Sequence, residues 1–170
     1  MTHRPATCAA ILVIAALWSV GCGDEVFPGS TKAADFEVGD CLRVGGAIDR
    51  PEAAEVACGS AESNYKVVAT VTGGAELCPP DVDSFYSQRG GLADQTTVCM
   101  DIDWVLGECM SVDPDHRTHS VRVDCADRTV PFRQRATQIL TDVARVDQCA
   151  SGLGYAYTQR QFTVCVENLR

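Results

Sequence analysis

Eight cysteines arranged as two like quartets constrain this chain more than any other feature of its sequence. Cys41, Cys58, Cys78 and Cys99 are followed by Cys109, Cys125, Cys149 and Cys165. Their flanks recur with them. Gly39-Asp40-Cys41-Leu42 is answered by Gly107-Glu108-Cys109-Met110, and Val56-Ala57-Cys58 by Val123-Asp124-Cys125. Thr97-Val98-Cys99-Met100-Asp101 is answered by Thr163-Val164-Cys165-Val166-Glu167. Cys78 and Cys149 are each followed eight residues later by a tyrosine, Tyr86 and Tyr157. Matched cysteines lie 68, 67, 71 and 66 residues apart. This is the signature of an internal duplication, with one repeat over residues 39–105 and a second over 106–170.

Eight cysteines allow on the order of a hundred pairings, but the same pairing within each repeat leaves only a few. First-with-second and third-with-fourth is favoured: Cys41 with Cys58, Cys78 with Cys99, Cys109 with Cys125, and Cys149 with Cys165. In each repeat the first cysteine opens a strand and the second closes the next. An antiparallel hairpin sets those ends side by side, within bridging distance. Paired cysteines imply an oxidising compartment. No Cys-x-x-Cys spacing occurs, which argues against a zinc ribbon or a thioredoxin-like redox site.

The N-terminus agrees with export. One fixed charge, Arg4, precedes an apolar run over residues 8–20 that only Ser19 interrupts. A run of about 13 is short of the roughly 20 residues a membrane span needs, and suits a cleaved signal peptide over residues 1–21. Val20-Gly21-Cys22 resembles the lipobox of bacterial lipoproteins, although Ser19 stands where leucine is usual. The resemblance implies cleavage before Cys22 and a diacylglyceryl group on its thiol. Two or more acyl chains hold a protein stably on a membrane. Cysteine parity points the same way. Of ten cysteines, Cys8 leaves with the signal and Cys22 takes the lipid, so an even eight remain to pair. Residues 22–38, with Pro28-Gly29-Ser30, read as the lipidated cysteine and a flexible tether. The expected location is the extracytoplasmic face of the cell membrane. Loss of Arg4 takes the formal charge from −9 to −10, which disfavours nucleic acid and anionic headgroups as partners.

Strands are expected at residues 41–44, 55–58, 65–72, 96–105, 108–112, 120–125 and 162–166, where β-branched and apolar residues concentrate. Val121-Arg122-Val123-Asp124-Cys125 alternates, so one face should be solvated. Pro79-Pro80 can open a helix over 81–88 that ends at Gly90-Gly91. Residues 148–159 read as a helix or helical loop, and 131–140 stand unassigned in the place of 65–72. The expected fold class is therefore α+β: two tandem disulfide-stapled lobes, each mainly antiparallel strands plus one short helix.

Chemistry is sparse. Asp113, Asp115, His116 and His119 form one ligand-rich loop, a weak metal candidate because carboxylate and imidazole are common ligands. The matching loop of the first repeat has no histidine, and Asp and Pro are ordinary loop residues, so a solvated loop is the favoured reading. No Gly-x-Ser-x-Gly elbow is present, and no catalytic residue or cofactor is expected. Asp101 and Asp103 share a strand face and are expected to be solvated. Trp104, Tyr155, Tyr157 and Phe162 are assigned to core rather than to a binding surface. These features favour a non-catalytic binding or scaffolding module of the cell envelope, whose partner is an unidentified envelope protein or ligand. Two alternatives stand: a metal-dependent enzyme or metal-binding protein using loop 113–119, and a carrier of an apolar ligand between the lobes.

Four stretches carry a family resemblance. They are Gly39-Asp40-Cys41-Leu42-Arg43-Val44, Ser63-Asn64-Tyr65-Lys66-Val67-Val68-Ala69-Thr70-Val71, Arg133-Gln134-Arg135-Ala136-Thr137-Gln138, and Val146-Asp147-Gln148-Cys149-Ala150-Ser151-Gly152-Leu153-Gly154-Tyr155-Ala156-Tyr157. They resemble the LppU family of mycobacterial and actinobacterial lipoproteins over roughly residues 38–168. The Gly-Asp-Cys and Val-x-Cys elements also resemble secreted actinobacterial domains described as septum-formation related. The resemblance implies a membrane-anchored envelope protein. It implies no particular activity and brings no catalytic residues.

Overall fold

Alternating β-branched and aromatic residues between the cysteines form strands throughout the structure, a computed structural model that describes residues 31–89 and 95–170. The expected signal over 1–21, Cys22, the first part of the tether and Gly90-Gly91 lie outside the described residues. The first half contains β1 (Cys41–Ala47), β2 (Arg50–Val56), β3 (Tyr65–Thr72), β4 (Ser84–Arg89) and β5 (Gln95–Ile102). The second contains β6 (Cys109–Ser111), β7 (Val121–Val123), β8 (Arg133–Thr141), β9 (Gly154–Tyr157) and β10 (Phe162–Asn168). They make two five-stranded antiparallel sheets, ordered β2-β1-β3-β5-β4 and β7-β6-β8-β10-β9. The second order is the first with every strand advanced by five. Even the irregularities correspond. β3 slips against β5 between Val67 and Ala69, and β8 slips against β10 so that Ala136 and Gln138 face consecutive residues. One extra residue, Val68 or Thr137, therefore bulges at the same place beside the last cysteine of each half.

Four bridges staple these sheets: Cys41–Cys58, Cys78–Cys99, Cys109–Cys125 and Cys149–Cys165, with Cα separations of 4.9, 5.6, 5.2 and 5.3 Å. In each half the first bridge closes the outer hairpin. The second ties the crossover to β5 or β10, the strand next to the far edge of its sheet. Loops of this length are worth about 3 kcal/mol each in the chain-entropy account.

The architecture is mainly β rather than α+β. The expected helix at 81–88 is a turn followed by an edge strand: Val82 N donates to Pro79 O, and β4 then pairs with β5. The period there is two, since Tyr86 is buried while neighbouring Phe85 is exposed. Prolines that can begin a helix can equally begin a turn, and pairing with β5 decides between them. Residues 148–159 are likewise not helical. Gly152, at φ 68°, closes a turn after Cys149, and β9 then pairs with β10. Only the short 3-10 turns Ala75–Leu77 and Val146–Gln148 precede the third cysteine of each half. The register also revises the tyrosine match. Tyr86 faces Val98 and Tyr155 faces Val164, each one residue before a bridged cysteine, so Tyr155 is the counterpart of Tyr86 and Tyr157 lies two residues further along. The end of the expected tether is folded, too. A 3-10 turn spans Ala33–Asp35, Ala33 and Phe36 are buried, and Thr31 binds both Ala53 on β2 and Tyr86 on β4. Those are opposite edges of the first sheet, about 19 Å apart if it were flat, so the sheet is curled and this segment closes its open side.

The two halves share one apolar core, running from Leu42, Tyr65 and Met100 to Met110, Val112 and Tyr157. Polar groups interlock across it. Arg160 donates to both oxygens of Asp101, at 2.9 and 2.7 Å, and to Asp81 at 3.0 Å. The Trp104 indole donates to the Tyr157 hydroxyl, which donates to Asp83. Arg122 donates to the carbonyls of Ser60 and Asp103. Asp101 and Asp103, expected on a solvated face, are 4% and 8% exposed because the second half covers them. The same packing inverts β7: the Arg122 side chain faces inward and Val121 outward. The repeat explains where Asp101 came from. Arg135 faces Glu167 across β8 and β10 and pairs with it at 3.1 Å. Lys66 faces Asp101 in the equivalent register, but Asp101 is engaged by Arg160 instead.

Truncating Arg160 to alanine strands Asp81 and Asp101 in the interface and should cost about 3–5 kcal/mol of unfolding free energy in urea. Arg135→Ala, at the half-exposed equivalent pair, should cost about 1 kcal/mol or less. Gly154→Ala should cost about 1–3 kcal/mol by the same measurement, since an added Cβ would lie 2.5 Å from Val164 O and 3.1 Å from Cys149 Sγ.

Candidate functional site

The halves differ most at their outer hairpins, and that difference opens a cleft. β1 and β2 are seven residues each and turn tightly, whereas β6 and β7 are three each and are joined by a long loop. Between the long hairpin and the long loop lies a cavity of about 550 Å³. That is within the range of roughly 300–1,000 Å³ seen for small-molecule sites. The first half supplies Ile48, Asp49 and Pro51 from the hairpin tip, Tyr65 and Ile102 from the floor, and residues 82–85 with Ser87 from one wall. The second half supplies Val112, His116, Thr118, His119 and Ser120 from the loop, and Tyr155 from β9. Hydrogen bonds between halves hold these walls together: Ser120 N donates to the Tyr65 hydroxyl at 2.9 Å, and the Asn64 amide donates to Ser120 O at 2.9 Å.

Loop 113–119 keeps its shape through its own contacts. His116 N donates to Asp113 O, and Asp115 N donates to the Asp113 carboxylate. The latter bond, then Arg117, holds the Asp113 carboxyl below its ordinary range. Arg117 lies 3.4 Å from Asp113 and 3.2 Å from Asp115. The structure thus turns the two acids toward an arginine and lines the cleft with the two histidines. It does not gather Asp113, Asp115, His116 and His119 into one ligand set. Among the described residues no group of three or more His, Cys, Asp or Glu side chains is placed to hold a metal ion.

Burial governs the titrating groups. It pushes the Asp83 carboxyl up, against hydrogen bonds from the Tyr157 hydroxyl (2.6 Å) and Ile102 N (2.8 Å) that favour the anion. It lifts Asp101 to about 7 against the pull of Arg160, and the like charges of Asp83 and Asp81 nearby add to the rise. Burial, with Asp83 nearby, raises Tyr155 to about 12, and its hydroxyl donates to Gln134 at 2.6 Å. Burial lowers the His119 imidazole below its ordinary value, and its Nε2 is enclosed without a hydrogen-bond partner among the described residues. Among the described residues no lysine or arginine lines the cleft. The arrangement offers aromatic and aliphatic walls with a few convergent polar groups, which suits holding a ligand.

Of the four aromatics assigned to core, Trp104 and Tyr157 are buried, while Tyr155 and Phe162 are partly buried against it. Tyr155 also faces the cleft. Ile48, Asp49, Tyr65, Asp83 and Phe85 were not singled out by the sequence. The one signal that could have found Phe85 is its place beside a core tyrosine in a period-two segment, which a helical reading conceals. Comparison with family models, with curated proteins and with solved structures gives no match.

The titrations set the sign of the pH dependence. Asp101 keeps its proton in the folded state up to about pH 7, whereas the unfolded chain releases it near 3.8, so its contribution is full below about pH 4 and is lost as pH rises toward 7; the raised Asp83 carboxyl acts in the same direction. His119 acts oppositely, adding stability as pH rises toward 6.5. Two carboxyls against one imidazole should make the melting temperature fall between pH 5 and 7.5. Asp101→Asn should flatten that fall in scanning calorimetry.

Proposed function

We propose that this protein is an exported, lipid-anchored binding module of the cell envelope, and that it holds a small ligand in the cleft between its two halves. The observation that carries this reading is the 550 Å³ cavity walled by both repeats. Duplicated units that bury a common core commonly form sites where they meet. Support for export comes from the signal-like N-terminus, the lipobox resemblance at Cys22 and four disulfides in a chain of this size. The LppU resemblance fits the same envelope location. Between the two alternatives read from the sequence, the structure favours the carrier of an apolar ligand over the metal site, because Arg117 already faces Asp113 and Asp115.

Anchoring and binding are tested separately. Labelled palmitate should be incorporated into the native protein and not into Cys22→Ala, with the eight paired cysteines still resistant to alkylation without reductant. Equal labelling of the two, or labelling of neither, would remove the anchor from the account. The chain from residue 23, exported behind an ordinary cleavable signal, should bind the neutral apolar dye Nile red saturably, and Phe85→Trp, which fills the wall of the cleft, should weaken binding about tenfold or more. Binding that ignores this substitution would place the ligand elsewhere.

A further inference from the structure

Resting on the assignment of the cleft as the ligand site, we infer that its ligand is an organic cation: an ammonium group carried on an aromatic or aliphatic body. Three features of the walls lead there.

The first is charge. Two acids, Asp49 and Asp83, line the cleft, and among the described residues no lysine or arginine does; an ammonium at the cleft would also favour the ionised form of Asp83 that burial opposes. The chain as a whole carries a formal −9. A carboxylate or phosphate ligand would meet like charge with no lysine or arginine among those residues to pair it and only the His116 imidazole near Asp83, whereas an ammonium is drawn in by both the near and the distant field. His119, held toward the neutral form by burial, does not offset the acids.

The second is the aromatic lining. Tyr65, Phe85 and Tyr155, from β3, β4 and β9, all line the cavity. Both tyrosines are pinned by their hydroxyls: Tyr65 accepts from Ser120 N, and Tyr155 donates to Gln134. Phe85 is 52% exposed although it is large and apolar, so its ring is available to a ligand. Fixed ring faces attract a cation through their quadrupole and cover its hydrocarbon body at the same time.

The third is an acceptor left over. Asp83 Oδ2 takes the donors of Ile102 and Tyr157, and no donor among the described residues reaches Oδ1. A half-buried carboxyl with one oxygen open to the cleft is suited to a charge-assisted bond from an incoming N–H. Asp49, exposed at the hairpin tip, supplies the second carboxylate at the mouth.

The experiment uses the full lipidated protein in phosphatidylcholine nanodiscs and three probes with one body: 3-phenylpropylamine, 3-phenylpropanol and 3-phenylpropionate. Calorimetric titration is corrected with empty nanodiscs. The amine should bind about fivefold to tenfold tighter than the alcohol, the worth of one ion–aromatic and carboxylate contact set, and the carboxylate should bind weakest. Asp49→Asn with Asp83→Asn should bring the amine to within about twofold of the alcohol while leaving the alcohol unchanged. Asp49→Asn alone, at an exposed turn, should give part of that loss with no change in melting temperature. Phe85→Ser should weaken all three probes. Binding of alcohol and amine with equal strength, or of the carboxylate most tightly, overturns the cation assignment while leaving the cleft as a ligand site. Failure of all three probes to bind overturns the ligand site itself.

Discussion

Arg160 sits between two carboxylates, Asp81 and Asp101, that belong to the other half of the molecule. A guanidinium fork engaged on two sides holds its neighbours in angle as well as in distance. It is reinforced by the Trp104–Tyr157–Asp83 chain a few residues away, and by stacking of the Arg160 guanidinium over the Tyr157 ring at 5.3 Å. The orientation of one sheet on the other therefore rests on directional contacts, where an apolar core alone would tolerate sliding. The cleft walls inherit that orientation, since Tyr155 and the 113–119 loop come from one side and the long hairpin from the other. Duplication supplied the parts. Where the second half keeps a local Arg135–Glu167 pair, the first half lends the corresponding acid to its partner.

Much of this was legible in the cysteines. A hairpin-closing bridge needs two strand ends side by side, so spacing plus flanking residues pointed to stapled hairpins, and the echo between quartets pointed to a repeated topology. β3 coincides with the expected 65–72 because five of its eight residues, Val67, Val68, Thr70, Val71 and Thr72, are β-branched. Edge strands were harder. β4 and β9 are short, follow prolines or glycines, and owe their conformation to a partner far along the chain, so local composition underdetermines them. Each was read as helix for that reason.

Polarity misled in the same way. Asp101, Asp103 and Arg122 carry charge on strands and were taken for solvent-facing residues, yet they lie at the join and neutralise or hydrogen-bond one another across it. A single repeat would expose them. The cleft was invisible for a related reason: its residues come from six separate stretches and include no motif. Of its residues only Tyr155, assigned to core, and the histidines of loop 113–119 drew notice; the histidines do line it, though apart from the acids that accompany them in sequence.

Folding of the segment around Ala33 and Phe36 against the first sheet has a consequence for where the molecule operates. If Cys22 carries the lipid, only residues 23–30 separate the acyl chains from the first fixed contact at Thr31. Fully extended, eight residues reach about 29 Å at most. The domain would then ride within a bilayer's thickness of the headgroups, and small amphiphiles leaving that surface would meet it before they reached open solvent.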